Sequence, residues 1–381
     1  MELVWGTKDF LIAGQPYQGF PILLWDSMES CSQANQFFRN YLLRGVIGSD
    51  KSWPSTGRAL YDYFSFLQAH DLDWRDVDRG EAKSLVAAYR DYCLVTCKLA
   101  RSTTGQRLMY ICKFYEFALD KGWVKRLPFG HEERTVPRDT SFLEHVDASG
   151  GKALVNDVMP RRHKLLPKFL SMSQAKSLLA ESENPHHRIM IQLALRTGLR
   201  REELATFPVA CVFDPDKVGG GKRNLRIRLD PFDRDGMETK GSKKRDIWVS
   251  RKLMAELYRY LTKLRGERAS LGKNQKALLL NHLGEPYGSA GKSLNRIIVE
   301  TGERLGIEVH MHMLRHTYAT HTLVNLQRNP QKGLDPLAFL QRQLGHSSVQ
   351  TTMVYLHLVN EMADEAVLAY DDELNDVAEA V

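Results

Sequence analysis

The most informative stretch of the sequence is residues 310–321, His-Met-His-Met-Leu-Arg-His-Thr-Tyr-Ala-Thr-His. On a helix, His312 and Arg315 share one face and can bind a single anion together. His312 and His316 have the i,i+4 spacing of a metal-binding pair, but no acidic or thiol ligand is nearby in the sequence, and Arg315 would repel a cation. An anion is therefore favoured over a metal ion. The remaining histidines of the stretch are predicted to be structural: His310 and His321.

A second phrase, residues 197–204, is Thr-Gly-Leu-Arg-Arg-Glu-Glu-Leu. Gly198 is predicted to end one helix, and Arg200 lies at the exposed start of the next. Since Arg200 and Glu203 are three residues apart, the carboxylate can brace the guanidinium on one helix face. An ordinary surface ion pair explains the same spacing, so this phrase does not decide the function by itself.

A third phrase, residues 344–355, is Leu-Gly-His-Ser-Ser-Val-Gln-Thr-Thr-Met-Val-Tyr. Gly345 is predicted to end one helix, and one of the two serines after His346 is predicted to begin the next. His346 would then lie at a corner between two helices, and Tyr355 about two turns into the second. A core or interface aromatic is the ordinary explanation for such a tyrosine taken alone.

A basic segment, Glu-Thr-Lys-Gly-Ser-Lys-Lys-Arg at 238–245, lies between two β-like runs at 225–229 and 246–249. This arrangement predicts a hairpin with a basic tip. A solvated run of charge is the ordinary explanation for any one of its three lysines: Lys240, Lys243 and Lys244.

Helical periodicity and its interruptions predict the organisation of the chain. Four amphipathic patterns occupy the first third, the last of them behind the candidate capping residues Ser102 and Thr103. Later patterns predict a long helix at 252–267 and a short strand at 277–280. The predicted segments are an N-terminal extension (1–28), a helical domain (29–128), a linker (129–166), a mixed second domain (167–360) and an acidic C-terminal tail (361–381).

Charge is distributed unevenly along the 381 residues, which carry 53 Lys or Arg, 46 Asp or Glu and a net charge of +7. Residues 361–381 contain eight acidic and no basic residues, so the first 360 carry 53 basic against 38 acidic residues, or +15. A basic body favours a polyanionic partner such as nucleic acid, although ordinary solubility charge explains the total equally well. Five scattered cysteines, no leader pattern and no membrane-length apolar run predict a reduced, soluble, cytoplasmic protein.

Taken together and in this order, the phrases resemble the catalytic domain of the tyrosine recombinases, the lambda-integrase-like (phage integrase) family. The resemblance begins at about residue 166, and the preceding helical unit is similar to the family's SAM-like core-binding domain. It implies a mainly α fold with a small β-sheet, in which an all-α core-binding domain precedes an α+β catalytic domain. The segment 230–238 makes the hairpin longer than is usual in the family.

The resemblance also implies a role for each matching residue. Two arginines would clamp the scissile phosphate, a tyrosine would be the nucleophile, and two histidines and a hairpin lysine would assist. Glu203 would support the first arginine. Lys243 or Lys244 could replace Lys240, because the hairpin is long. The implied catalytic residues are Arg200, Lys240, His312, Arg315, His346 and Tyr355.

These roles imply a site-specific DNA recombinase or integrase of a mobile genetic element, acting through a 3′-phosphotyrosyl intermediate. No cofactor or metal is expected, since two fixed guanidiniums can stabilise charge on a phosphodiester. The expected partners are double-stranded DNA, a homotetramer of the chain in the synaptic complex, and accessory proteins, in a nucleoid-associated, cytoplasmic location with no membrane contact. The alternatives are a type IB topoisomerase-like enzyme and a non-catalytic DNA-binding accessory protein on the same fold.

Overall fold

The computed structural model describes residues 1–44, 50–135, 152–161, 166–219, 221, 223–272, 275–288, 290–330, 333–356 and 358. The chain divides into two compact units, Met1–Lys164 and Leu165–Val381. The predicted acidic tail at 361–381 and much of the predicted linker, residues 136–151 and 162–165, lie outside the described residues.

Residues 1–28, predicted to be an N-terminal extension, contribute four short strands to the first unit. Strands β1 (Glu2–Trp5) and β4 (Pro21–Leu24) pair antiparallel, as do β2 (Leu11–Ile12) and β3 (Gln15–Pro16). Phe20 and Leu23 are buried in the core of this unit. The segment is therefore an integral part of the unit, because its apolar side chains are removed from water there.

In the described residues, the rest of the first unit consists of four α-helices, a 3-10 turn at Asp50–Ser52 and the antiparallel pair of β5 (His131–Thr135) and β6 (Lys152–Asn156). Their core is rich in aromatic side chains, and two of its buried tyrosine hydroxyls are paired: Tyr63 Oη lies 2.7 Å from Tyr115 Oη, which donates to the Trp74 carbonyl at 2.9 Å. The helices are α1 (Ser32–Leu43), α2 (Trp53–Ala69), α3 (Leu85–Asp91, continued by a π-helical turn at Tyr92–Thr96) and α4 (Arg101–Asp120).

One sequence prediction in this unit is wrong. Ser102 and Thr103 lie inside α4, whose first residue is Arg101, and its N-cap is Ala100 in an extended conformation. Ala100 makes no side-chain cap; instead its carbonyl accepts hydrogen bonds from the backbone N–H and the hydroxyl of Thr104. The helix therefore starts two or three residues earlier than the polar residues indicated.

The second unit consists of helices around one hairpin. Strands β7 (Asn224–Leu229) and β8 (Arg245–Ser250) pair antiparallel with Ile227 opposite Ile247, which confirms the predicted hairpin. The helices are α5 (Met172–Glu181), α6 (Pro185–Thr197), α7 (Arg201–Ala205), α8 (Arg251–Arg259), a π-helical turn (Tyr260–Leu264), α9 (Arg265–Ala269), α10 (Lys292–Arg304), α11 (Met311–Arg328), α12 (Pro336–Leu344) and α13 (349–356). The predicted long helix at 252–267 is thus interrupted by a π-helical turn. The predicted strand at 277–280 is wrong, because Ala277 and Leu280 make only isolated bridges, to Pro208 and Pro286.

The structure brings the three sequence phrases together around α11, which packs against α6, α10 and α12. Helix α6 ends at Gly198 and α12 ends at Gly345, both in the left-handed conformation, which confirms the two predicted helix ends. Gln343 on α12 is 1% exposed. Its side chain exchanges hydrogen bonds with the Trp248 backbone, at 2.8 and 3.1 Å, and so fixes the hairpin to α12.

Gly198→Ala is expected to destabilise the second unit strongly. Gly198 has φ +65°, and a Cβ there would lie 2.5 Å from Tyr318 Cδ1 and 2.8 Å from Leu344 Cδ2. The left-handed conformation and the overpacking together cost about 2–5 kcal/mol, measured as the free energy of unfolding in guanidinium chloride. Gly266→Ala is the matched control, since Gly266 is helical and a Cβ there meets nothing within 4 Å. Equal stability of the two variants would contradict the close packing at Gly198.

Candidate active site

Arg315 lies at the centre of the candidate site and is 2% exposed. Its Nη1 donates to the Gly198 carbonyl and its Nη2 to the Leu344 carbonyl, each at 2.7 Å. Burial, and then the nearby charge of Arg200, lower the pKa of Arg315 to about 9, so the group remains protonated at neutral pH. The guanidinium therefore joins the ends of α6 and α12 to α11.

Arg200, the residue that precedes α7, donates to the same turn. Its Nη2 donates to the Gly345 carbonyl at 2.8 Å, next to the Leu344 carbonyl that binds Arg315. Its Nη1 donates to Glu203 Oε1 at 3.2 Å, and its backbone N–H donates to Glu203 Oε2 at 2.7 Å. The predicted bracing of Arg200 by Glu203 is confirmed, but the carboxylate is fully buried and is not part of a surface ion pair.

A residue that the sequence analysis did not single out, Arg245, completes this cluster. Its two Nη atoms contact the two carboxylate oxygens of Glu203, Nη2 to Oε2 at 2.8 Å. Burial opposes ionisation of Glu203, but the hydrogen bonds and charges of Arg245 and Arg200 outweigh it and hold the pKa of the carboxyl below its usual value. Strand alternation was the available signal, because Arg245 shares the inward face of β8 with Ile247 and Val249.

Tyr355 on α13 is buried, with 2% of its surface exposed. Its hydroxyl oxygen lies 2.8 Å from His316 Nδ1, and its ring stacks on His346 with the ring centroids 6.3 Å apart. Burial raises the pKa of the Tyr355 hydroxyl, while the charges of Arg315 and then Arg200 act to lower it. Both arginines therefore act electrostatically on the hydroxyl that the sequence predicts to be the nucleophile.

Three imidazoles surround this hydroxyl and the two arginines. Burial, followed by neighbouring positive charge, lowers the pKa of His312 to about 4 and the pKa values of His316 and His346 to about 3. All three are neutral at pH 7. His312 and His316 are in edge contact, and His346 Nδ1 lies 3.0 Å from Thr352 Oγ1.

The two histidines predicted to be structural make hydrogen bonds to the backbone. His310 accepts from the Met313 N–H at the start of α11, and His321 Nε2 lies 2.9 Å from the Leu170 carbonyl oxygen. Among the described residues, no group of three or more His, Cys, Asp or Glu side chains is placed to hold one metal ion.

The hairpin turn distinguishes two of the three candidate lysines. Lys240 is exposed in the turn Lys240–Ser242, and its charge contributes to lowering the pKa of His312. Lys244 instead forms an ion pair with Asp230, Nζ to Oδ2 at 2.8 Å, and lies over the Phe232 ring. The geometry therefore favours Lys240 over Lys244 as the lysine that serves the site.

A groove of about 1090 Å³ runs between the hairpin and α12 and opens at this cluster. Arg226 and the half-exposed Trp248 lie opposite each other on the outer face of the hairpin and line it. The other basic residues of the lining are Arg200, Lys240, Lys243, Lys244, Arg245 and Arg342. Such a concentration of positive charge suits a polyanion.

Comparison with known proteins identifies the family. Residues 168–362 match the model described as the phage integrase family. The chain is 31% identical over 336 residues to a tyrosine recombinase of Pseudothermotoga lettingae, covering 87% of this chain and 96% of that one. It is 24% identical to the tyrosine recombinase XerD of Oceanobacillus iheyensis, covering 84% and 92%. A solved structure of the Tn1549 transposon integrase in complex with transposon right end DNA has a TM-score of 0.56 at 16% identity, covering 85% of this chain and 94% of that one.

The chain therefore belongs to the phage integrase family and is a site-specific recombinase of the tyrosine type. The predicted fold class, mainly α with small sheets, is confirmed as well. None of the helices in the described part of the chain is both long and apolar enough to cross a membrane.

Glu203→Gln is expected to lower the free energy of unfolding by about 3 kcal/mol at pH 7, because two largely buried guanidiniums lose the buried carboxylate that is their counter-charge. Since folding depresses the pKa of Glu203, its ionised form contributes stability above the unfolded-state pKa, and that contribution is lost as pH falls through the folded-state pKa. The difference between wild type and variant should therefore narrow below about pH 4.5.

The measurement is the free energy of unfolding in guanidinium chloride of wild type and Glu203→Gln, from pH 7 to below about pH 4.5. Glu183→Gln, at an exposed glutamate of the same unit, is the control and should change stability little. A wild-type-to-variant difference at Glu203 that does not depend on pH would contradict the ion pair.

Proposed function

We propose that the chain cleaves one strand of a specific duplex DNA site with Tyr355, and that Arg200 and Arg315 bind the scissile phosphate. The observation that carries this proposal is the convergence of both guanidiniums on adjacent carbonyls, Leu344 and Gly345, beside the Tyr355 hydroxyl whose pKa they act to lower. Fixed cations at this position match the charge that develops on the non-bridging oxygens of an attacked phosphodiester.

In the proposed reaction, the Tyr355 oxygen attacks phosphorus and the 5′ oxygen of the next nucleotide leaves. The tyrosine proton passes to a neutral imidazole, and Lys240 protonates the departing oxygen. The product is a 3′-phosphotyrosyl ester. Because it retains the energy of the broken phosphodiester, attack by a 5′ hydroxyl from a second site rejoins the strand without ATP.

The buried position of Tyr355 implies a conformational step before cleavage. A hydroxyl on a side chain with 2% exposure cannot reach a DNA phosphate, so α13 must shift when DNA binds. Neutral His316 holds the hydroxyl in the arrangement described here, at 2.8 Å. We propose that DNA entering the basic groove supplies the free energy for this shift.

The proposed partners follow from the chemistry of strand exchange. The basic groove and the +15 charge of residues 1–360 support double-stranded DNA as the substrate. Exchange between two duplex sites requires four cleavages, and so we propose a homotetramer in the synaptic complex. The chain shares its fold with a transposon integrase, and we propose that it serves a mobile genetic element, in the nucleoid and with accessory proteins.

A DNA substrate with a nick just downstream of the scissile phosphate tests the nucleophile. Wild type should accumulate a covalent protein–DNA adduct, seen as a denaturation-resistant band, because the short released strand diffuses away. Tyr355→Phe should form no adduct and still bind the site. Tyr258→Phe, in α8 of the same unit, is the matched control and should behave as wild type. An equal adduct from Tyr355→Phe would refute the assignment.

A sulfur-substituted substrate tests the lysine. Lys240→Ala should cleave ordinary DNA about 10²–10⁴-fold more slowly, since the 5′ oxygen leaves without a proton. In a 5′-bridging phosphorothiolate substrate, sulfur replaces the leaving 5′ oxygen. The thiolate that leaves needs no proton because a thiol pKa is near 8.5. The same variant should therefore cleave this substrate at close to the wild-type rate. Lys244→Ala, which removes the partner of Asp230, should cleave both substrates normally. A defect in Lys240→Ala that persists with the sulfur substrate would rule out proton donation by Lys240.

A further inference from the structure

Arg245 is an almost buried cation that no step of the proposed reaction uses. It begins β8, its side chain is 10% exposed, and both of its Nη atoms contact Glu203. Its Nε is buried and finds no hydrogen-bond partner among the described residues. Burying a guanidinium with an unsatisfied donor costs free energy, so its position calls for a physical explanation.

The Glu203 carboxylate is shared unequally between two arginines. Arg245 contacts both carboxylate oxygens in the two-pronged geometry that gives the strongest arginine–carboxylate pairs. The Arg200 side chain makes one longer contact, Nη1 to Oε1 at 3.2 Å. Most of the hydrogen-bonding capacity of Glu203 is therefore directed to Arg245 and to the Arg200 backbone N–H, and not to the Arg200 guanidinium.

Arg245 also packs beneath the turn that holds both arginines. A Cβ on Gly345 would lie 2.7 Å from Arg245 Cδ and 3.1 Å from its Nε, so the side chain occupies the space that this glycine leaves. The Gly345 carbonyl accepts from Arg200 at 2.8 Å. Arg245 thus contacts both groups that orient the Arg200 guanidinium, Glu203 and Gly345.

Removal of Arg245 would change the charge available to a phosphate. Without Arg245, the nearest cation to the buried Glu203 carboxylate would be Arg200. A two-pronged pair between Arg200 and Glu203 would then use the guanidinium donors that a phosphate needs. With Arg245 present, the cluster contains three guanidiniums near the one Glu203 carboxylate: Arg200, Arg245 and Arg315. The carboxylate balances one of these positive charges and leaves two.

We propose that Arg245 is a positioning residue that holds the Glu203 carboxylate away from the Arg200 side chain and so keeps the Arg200 guanidinium available to the scissile phosphate. This inference rests on the proposed function of Arg200. Arg245 itself does not touch the reacting atoms. Its effect is on the rate of strand cleavage, and the affinity for the DNA site depends on many other phosphate contacts.

The test measures single-turnover cleavage of the nicked substrate, together with site affinity, for Arg245→Met, Glu203→Gln and the double variant. Methionine keeps the bulk of the side chain without its charge. Arg245→Met should cleave about 10²-fold more slowly, the cost of losing one fixed donor to the phosphate. The double variant should recover at least ~10-fold of this rate, because a neutral amide no longer captures Arg200. Site affinity should change less than threefold in each.

A control variant and a replacement variant separate this role of Arg245 from a simple contribution to stability. Arg304→Met removes another arginine–glutamate contact, Nε to Glu181 Oε1 at 2.7 Å, and should cleave at the wild-type rate. If Arg245→Met does not fold, Arg245→Lys takes its place. This variant keeps the charge without the two-pronged contact, so it should cleave more slowly than wild type and speed up when Glu203→Gln is added.

The outcomes are distinguishable. Wild-type cleavage rates in Arg245→Met, or in Arg245→Lys where that variant is the one tested, would overturn the inference. A slow Arg245 variant that Glu203→Gln does not accelerate would overturn it too, since Arg245 would then act only through packing. If wild type itself forms no covalent adduct while binding DNA, the proposed function fails, and this inference fails with it.

Discussion

The second unit depends on the burial of the Arg315 guanidinium between the C-terminal ends of two helices. The last carbonyls of a helix lack intrahelical donors and carry partial negative charge. Arg315 satisfies one such carbonyl at the end of α6 and another at the end of α12, each at 2.7 Å. A cation can therefore remain charged with 2% of its surface exposed, and the same contacts hold three helices in register.

This arrangement explains why the site needs its glycines. Gly198 and Gly345 both adopt positive φ, which turns the chain sharply at the helix ends and directs the carbonyls toward the arginines. A side chain at either position would collide with Tyr318 or Arg245. The two glycines of the sequence phrases are thus required by the positions of the two arginines as much as by the helix ends.

The charge of the site comes from arginine and lysine. Burial keeps His312, His316 and His346 neutral at pH 7, so they add no positive charge to the site. Tyr355, tied to His316 and stacked on His346, stays protonated in this arrangement. The second unit thus combines a preformed cationic cluster with a buried tyrosine, and in the proposed reaction this arrangement would separate binding of a phosphate from its cleavage.

Local sequence determined the features that depend on neighbouring residues. Gly198 and Gly345 as helix ends, the β7–β8 hairpin and the pairing of Arg200 with Glu203 follow from backbone preference and from i,i+3 spacing, and the structure confirms them. The order of three phrases along the chain was also sufficient to indicate the family. The prediction from local preference was wrong at Ser102 and Thr103. The helix begins before them, at Arg101, after an extended alanine that makes no side-chain cap.

Only the tertiary structure decided which charges are buried and which groups meet. Arg245 is separated from Glu203 by 42 residues, and Tyr355 from His316 by 39, so no local pattern joins either pair. The difference between a surface charge run and a buried ion pair is set by what packs over it. The sequence therefore determined the residue types of the candidate cluster, whereas folding decided their burial, their protonation states and which of them lie together.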